Sequence, residues 1–105
     1  MTVVGTLSQF PVNTPTRFEV DGEPVLVVNV EGTLHAVDDT CSHAEVSLSE
    51  GEIADCTIEC WLHGSAFDLT TGEPLSPPAS RAIAVHTVTL GQGDDPEVSI
   101  TLGRN

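Results

Sequence analysis

The sequence predicts an all-β fold, a sandwich or small barrel. Three observations lead there. Short apolar, β-branched stretches are punctuated throughout by Gly, Pro and Asp, the pattern of strands separated by tight turns. Residues 82–90 alternate, with Ile83, Val85, Thr87 and Thr89 set against Ala84, His86, Val88 and Leu90, so a period of two fits better than 3.6. No long amphipathic helix, internal repeat or low-complexity segment competes with that reading.

Thr2 to Thr6 reads as an opening strand, ended by Phe10-Pro11 and Asn13-Thr14-Pro15, because proline cannot donate to a ladder. Arg17 to Val20 is the next strand, and Asp21-Gly22 is a strong hairpin signal. Glu23 to Val30 follows, its run Val25-Leu26-Val27-Val28 reading as a buried strand. Glu31-Gly32 turns the chain into Thr33 to Val37, and Asp38-Asp39-Thr40 leads on to Cys41. A short helical turn is expected over Ala44 to Leu48, and a small hairpin over Gly51 to Asp55 and Thr57 to Glu59. Ala66 to Leu69 is a short strand, Thr71-Gly72 a turn and Ser76-Pro77-Pro78 a stiff connector. Ala82 to Leu90 and Glu97 to Leu102 are the last two strands, with the polar loop Gly91 to Pro96 between them. Phe10 and Phe18 are core candidates.

The 105 residues suffice for one small domain. The formal charge is −13, from 16 acidic and 3 basic side chains, Arg17, Arg81 and Arg104, with no lysine. Such a chain repels nucleic acid and anionic membranes, which are gripped through Lys and Arg. It suits a basic partner surface approached at a salt-dependent rate, and its like charge favours a monomer. Three cysteines, an odd count, do not form a secreted disulfide framework. No basic segment followed by an apolar run marks a signal peptide, and no apolar run approaches the ~20 residues of a membrane span. The expectation is a cytoplasmic protein with reduced thiols.

Chemistry concentrates in Cys41-Ser42-His43 and, after sixteen intervening residues, Cys60-Trp61-Leu62-His63. Paired C-x-H and C-x-x-H stretches are a metal-site pattern. A structural zinc site is the alternative, but zinc fingers pair C-x₂₋₄-C with H-x₃₋₅-H, which these mixed pairs fit poorly. Together with Leu48-Ser49-Glu50-Gly51, Gly64, Phe67-Asp68-Leu69-Thr70-Thr71-Gly72 and Pro77-Pro78-Ala79, they resemble the Rieske-type [2Fe-2S] ferredoxins, the electron carriers of bacterial aromatic ring-hydroxylating dioxygenase systems. The resemblance spans the whole chain. It implies a single Rieske domain over residues 1–105: three antiparallel sheets, with a cluster-binding subdomain (39–76) inserted in a β base (1–38 and 77–105). It also implies one [2Fe–2S] cluster, with Cys41 and Cys60 on one iron and His43 and His63 on the other. Mixed thiolate and imidazole ligation raises the potential above that of an all-cysteine cluster.

Departures from the respiratory branch of that family carry further expectations. The positions of its loop-joining cysteines are Val46 and Leu62 here, so no disulfide staples the loops, and Leu62 shields the cluster from water. Ser65 retains a hydroxyl that bonds a bridging sulfide, whereas Phe67 replaces a tyrosine and one such bond is lost. Fewer hydrogen bonds to sulfur lower the potential, toward roughly −150 mV. Gly64 permits the tight turn after His63, and Trp61, between two ligands, is a candidate for docking. Cys56, in a strand candidate, reads as a small buried hydrophobe and not a ligand; His35 and His86, in strands away from the motif, read as structural or exposed. The resemblance thus implies a one-electron carrier, not catalytic alone, between an NAD(P)H-dependent flavin reductase and a terminal oxygenase of aromatic hydrocarbon catabolism. The alternatives are a small nitrite reductase subunit or part of another oxidoreductase complex. An oxygenase α-subunit also needs a mononuclear iron domain, for which 105 residues leave no room.

Overall fold

The computed structural model describes residues 2–40, 47–61, 65–75 and 82–103. Its nine strands are β1 (Thr2–Thr6), β2 (Thr16–Val20), β3 (Glu23–Val30), β4 (Thr33–Asp38), β5 (Glu52–Ala54), β6 (Thr57–Glu59), β7 (Ala66–Asp68), β8 (Val85–Leu90) and β9 (Glu97–Thr101). The described helical pieces are two 3₁₀ turns, Leu7–Gln9 and Leu48–Glu50. The fold is all-β, as the punctuated pattern predicts. Strands β1-β9-β8-β4-β3-β2 form one antiparallel sheet, and β5-β6-β7 form a second. The two sheets expected in the base are therefore continuous, joined at the short ladder Ala36↔His86 and Val37↔Val85.

Three two-residue hairpins set the register. Asp21-Gly22 and Glu31-Gly32 both have positive φ at both positions, the geometry whose twist matches paired strands. The third turn, Asp55-Cys56, also has positive φ at both positions, 49° and 61°, without a glycine. Cys56 is thus a turn residue and half-buried, where the sequence places it in a strand and fully inside. The turn needs two left-handed residues between Ala54 and Thr57, and Cys56 is held there by its carbonyl, which accepts the Leu69 N–H (3.0 Å).

The run Val25-Leu26-Val27-Val28 is buried throughout because β3 has a core on each face. Alternation sends Leu26 and Val28 to one side, where they join Val37, Leu48, Ile58, Cys60, Phe67, Leu69 and Ile83. Val25 and Val27 face the other side, among Phe10, Val20, Leu34, Ala36, Val98 and Ile100. Phe18 packs half-buried against this second core, its ring 5.7 Å from that of Phe10. The first core is where the large sheet meets the small one.

The predicted strand over 82–90 begins only at Val85. Ile83 donates its N–H to the Gly72 carbonyl (2.9 Å), and Ala84 donates to Asp38 Oδ2 (3.2 Å). These bonds divert the chain from the ladder toward the small sheet. Gly72, at φ +79°, must stay without a side chain, since a Cβ would collide with the Ile83 carbonyl oxygen. A 3₁₀ turn occupies Leu48–Glu50; of the helical turn expected over Ala44 to Leu48, Ala44 to Val46 lie outside the described residues.

His86 is structural. It is buried, its Nδ1 accepts the Gly103 N–H (2.9 Å), and so its Nε2 carries the proton and donates to Asp38 Oδ1 (3.0 Å). Burial lowers its pKa below the usual 6.5, an effect opposed by the charge of Glu23. His35 is also lowered by burial, against the charge of Asp68. Both rings fold neutral, so below pH 6.5 the unfolded chain binds more protons than the folded one. The stability they contribute is complete above pH 6.5 and is lost as pH falls toward the folded values. Unfolding midpoints measured between pH 7.5 and 5.5 are expected to decline with acidification, with a shallower slope in His86→Gln.

Candidate metal centre

Each of the two motif stretches leaves the described chain at a closed neck. At the first, β4 ends at Asp38 and the next residue, Asp39, is only 1% exposed. Its backbone carbonyl accepts the Leu48 N–H (2.5 Å), and its Oδ1 accepts the Ser49 N–H (2.8 Å). Its Oδ2 accepts the Ser47 hydroxyl and lies 3.5 Å from Arg17 Nε on β2. Ser47 has one hydroxyl proton, given to Asp39, so the 2.7 Å contact between Ser47 and Ser49 is a donation by Ser49. Thr40 and Ser47 pair as an isolated antiparallel bridge. Residues 40 and 47 are thereby fixed side by side at the two ends of 41–46. Leu48, fully buried beside Cys60, Ile58 and Phe67, anchors the far end of this neck in the core.

At the second neck, the Cys60 N–H donates to the Ser65 carbonyl (2.6 Å), fixing the ends of 61–64. Ser65 follows the same path into the interior, fully buried, and Ala66 opens β7. Phe67 is buried opposite Ile58, and Trp61 is 51% exposed. Of the sequence-predicted site residues, Cys60, Ser65, Phe67 and Trp61 are described; Cys41, His43, Val46, Leu62 and His63 lie outside the described residues, as does Gly64. The structure thus fixes the roots of both motif stretches. Cys56 stands apart from them, with its Sγ 3.6 Å from His35 Nε2 and 3.8 Å from Thr70 Oγ1.

Two residues escaped the sequence reading. Asp39 reads there as part of a lead-in to Cys41, and Asp38 as its neighbour. The available signal was a serine pair, Ser47 and Ser49, spaced so that both meet one acid preceding a C-x-H stretch.

Of the four expected ligands, Cys60 is the one among the described residues, and it suits an iron–sulfur group. Cys60 is a fully buried thiol, and among the described residues no side chain hydrogen-bonds its sulfur. A buried sulfur donor at the foot of a pinned loop is what a thiolate-ligated metal requires. Among the described residues no three or more His, Cys, Asp or Glu side chains come together as a metal-holding group.

Comparison with known proteins supplies the family. The family model described as the Rieske [2Fe-2S] domain matches residues 1–88. The ferredoxin component of biphenyl 2,3-dioxygenase from Rhodococcus jostii RHA1 is 44% identical over 87 residues, covering 83% of this chain and 80% of that protein. The ferredoxin of carbazole 1,9a-dioxygenase from Nocardioides aromaticivorans IC177 superposes with a TM-score of 0.84 at 35% identity, over 94% of this chain and 98% of that one. A chain from the complex of reduced oxygenase and oxidised ferredoxin in carbazole 1,9a-dioxygenase gives a TM-score of 0.86, also at 35% identity, over 94% and 99%. With its two pinned loop roots, its buried Cys60 and these relatives, the chain belongs to the Rieske [2Fe-2S] family, in the branch of dioxygenase ferredoxins, which carry one cluster, transfer electrons and are not catalytic alone.

Proposed function

We propose that this chain is the cytoplasmic, monomeric carrier between an NAD(P)H-dependent flavin reductase and a terminal ring-hydroxylating oxygenase. Residues 39–76 act as its cluster-binding part, within a base of 1–38 and 77–105. The relatives that are ferredoxin components favour this over a nitrite reductase subunit. The observation that carries the reading is Cys60: a buried sulfur at the foot of a closed neck, immediately followed by a half-exposed tryptophan.

When bound, the [2Fe–2S] cluster supplies a reversible one-electron couple. Cys41 and Cys60 would hold one iron through thiolates, and His43 and His63 the other through imidazole nitrogens. Leu62 would keep water from the sulfur side. Phe67 presents a buried ring where a tyrosine would offer a hydroxyl, so it withholds one hydrogen bond that would stabilise the reduced state. Among the described residues no helix is long and apolar enough to cross a membrane. The −13 charge draws the chain toward a basic partner face, and Trp61, half-exposed beside Cys60, offers the aromatic contact that small interfaces rely on.

Alanine at Cys41, His43, Cys60 or His63 is expected to leave the purified protein colourless, while Cys56→Ala keeps the visible absorption of the cluster. Retention of that absorption in Cys60→Ala would remove the ligand set. The midpoint potential should lie near the low end of the Rieske range, roughly −150 mV, and Phe67→Tyr should move it upward. A voltammetric value above zero contradicts the reading. In stopped-flow mixing with the oxygenase, Trp61→Ala should slow electron delivery about tenfold, the loss of one well-packed aromatic contact. The wild-type rate should fall as salt is added; a Trp61→Ala rate equal to wild type takes that residue out of the docking surface.

A further inference from the structure

We infer that Asp39 is a positioning residue for the cluster: its buried carboxylate and carbonyl clamp the ends of the first ligand stretch and set how Cys41 and His43 are presented. The inference rests on the proposal that those two residues are ligands.

The argument begins with the cost of the arrangement. A carboxylate taken out of water is strongly unfavourable unless its lone pairs are filled. Asp39 is 1% exposed, whereas the other acids among the described residues are exposed or half-buried. Its two oxygens are met by an amide N–H, a hydroxyl and, at 3.5 Å, a guanidinium. The guanidinium belongs to Arg17, one of three cations in the chain. Hydrogen bonds to an ionised acceptor are about twice as strong as neutral ones, and here several converge on one residue.

What these bonds connect decides the role. The Asp39 N–H donates to the Pro24 carbonyl on β3 (3.2 Å) and Arg17 reaches the carboxylate from β2, which seats Asp39 on the large sheet; its other bonds stay within the neck. Besides Arg17, the donors are Ser47, Leu48 and Ser49, three consecutive residues that follow 41–46, and the acceptor, Asp39, stands two residues before Cys41. The Ser49 hydroxyl extends the chain by donating to Ser47. Arg17 ties the same carboxylate to edge strand β2, which the Asp38–His86 and Asp38–Ala84 bonds complement from the β8 side. The neck is therefore referenced to both flanks of the sheet. Leu48 then passes the constraint to the core that holds Cys60, so the two loop roots share one rigid footing. No covalent staple is needed for this, in keeping with Val46 and Leu62 where cysteines would be required.

The test compares holo Asp39→Ala, Ser47→Ala and Arg17→Gln with wild type in three measurements. The first is bleaching of the visible absorption in excess EDTA. The second is the g-values of the dithionite-reduced protein by electron paramagnetic resonance. The third is amide hydrogen exchange at 47–49 and at 25–28. Asp39→Ala is expected to load a cluster but bleach at least tenfold faster, with altered g-values. Exchange should rise at 47–49 while 25–28 stay protected. Ser47→Ala and Arg17→Gln, each removing one partner, should shift the same readouts less and in the same direction. Wild-type bleaching and g-values in Asp39→Ala overturn the inference, as does deprotection that extends equally to 25–28, which marks a general structural role. Where Asp39→Ala yields no folded protein, wild-type bleaching and g-values in both milder variants overturn it. Colour retained in Cys41→Ala or His43→Ala would instead refute the ligand assignment beneath it, a separate result.

Discussion

Burying both faces of the β3–β4 hairpin obliges the chain to supply a core from each side, and the architecture follows from meeting that demand. One face is covered by the large sheet's own continuation, with Phe10, Val20, Val98 and Ile100. The other face, Leu26, Val28 and Val37, has nothing left in the large sheet to cover it. It is closed by Leu48, Ile58, Phe67 and Leu69, from the 3₁₀ turn and the small sheet. These residues sit among the roots of both motif stretches, so the packing that completes the hairpin also fixes where those stretches leave the core. Cys60 is itself a member of that core. A binding site on loops is only as well defined as the elements beneath it, and here those elements are the solvent-excluding cover of the central strands.

Polar bonds then refine what apolar burial positions. Asp38 and Asp39 are adjacent in sequence and point in opposite directions, as alternation at a strand end requires. Asp38 receives His86 and Ala84 from the β8 side, and Asp39 receives Ser47, Ser49 and Arg17. Each acid is satisfied by donors from a different part of the chain. The neutral tautomer of His86, fixed by the Gly103 N–H, lets a buried imidazole serve as a donor without placing a second charge in the interior.

Much of this was legible in the sequence, for reasons that differ by element. The hairpins at Asp21-Gly22 and Glu31-Gly32 are local, since φ > 0 at both positions leaves few residue choices. The buried run of β3 was legible as a strand, but not as a wall between two cores, which depends on what arrives from residues 48–83. The truncated start of β8 was not legible: Ile83 and Ala84 carry strand-like side chains, and distant acceptors, Gly72 and Asp38, take their N–H groups. Cys56 was misplaced because Asp55-Cys56 lacks the glycine that announces a two-residue turn. Of the site, the spacing of Cys and His was visible at once, while Asp39 was not. In a chain so rich in acids, Asp39 stands out as buried only once its partners are seen.

The way the loop roots are held bears on the conditions the carrier must survive. A disulfide between loops resists unfolding only while it stays oxidised, and a pool of thiols or a low-potential reductant removes it. The Asp39 clamp contains no group that a reductant can alter. Its strength depends on exclusion of water, which the burial of Asp39 and Leu48 provides. An electron carrier is reduced by its donor in every cycle, and a reductant that reaches a disulfide can open it as well. For such a protein, buried hydrogen bonds to a single carboxylate are the more durable fastening, and the geometry around Asp39 has the form that durability requires.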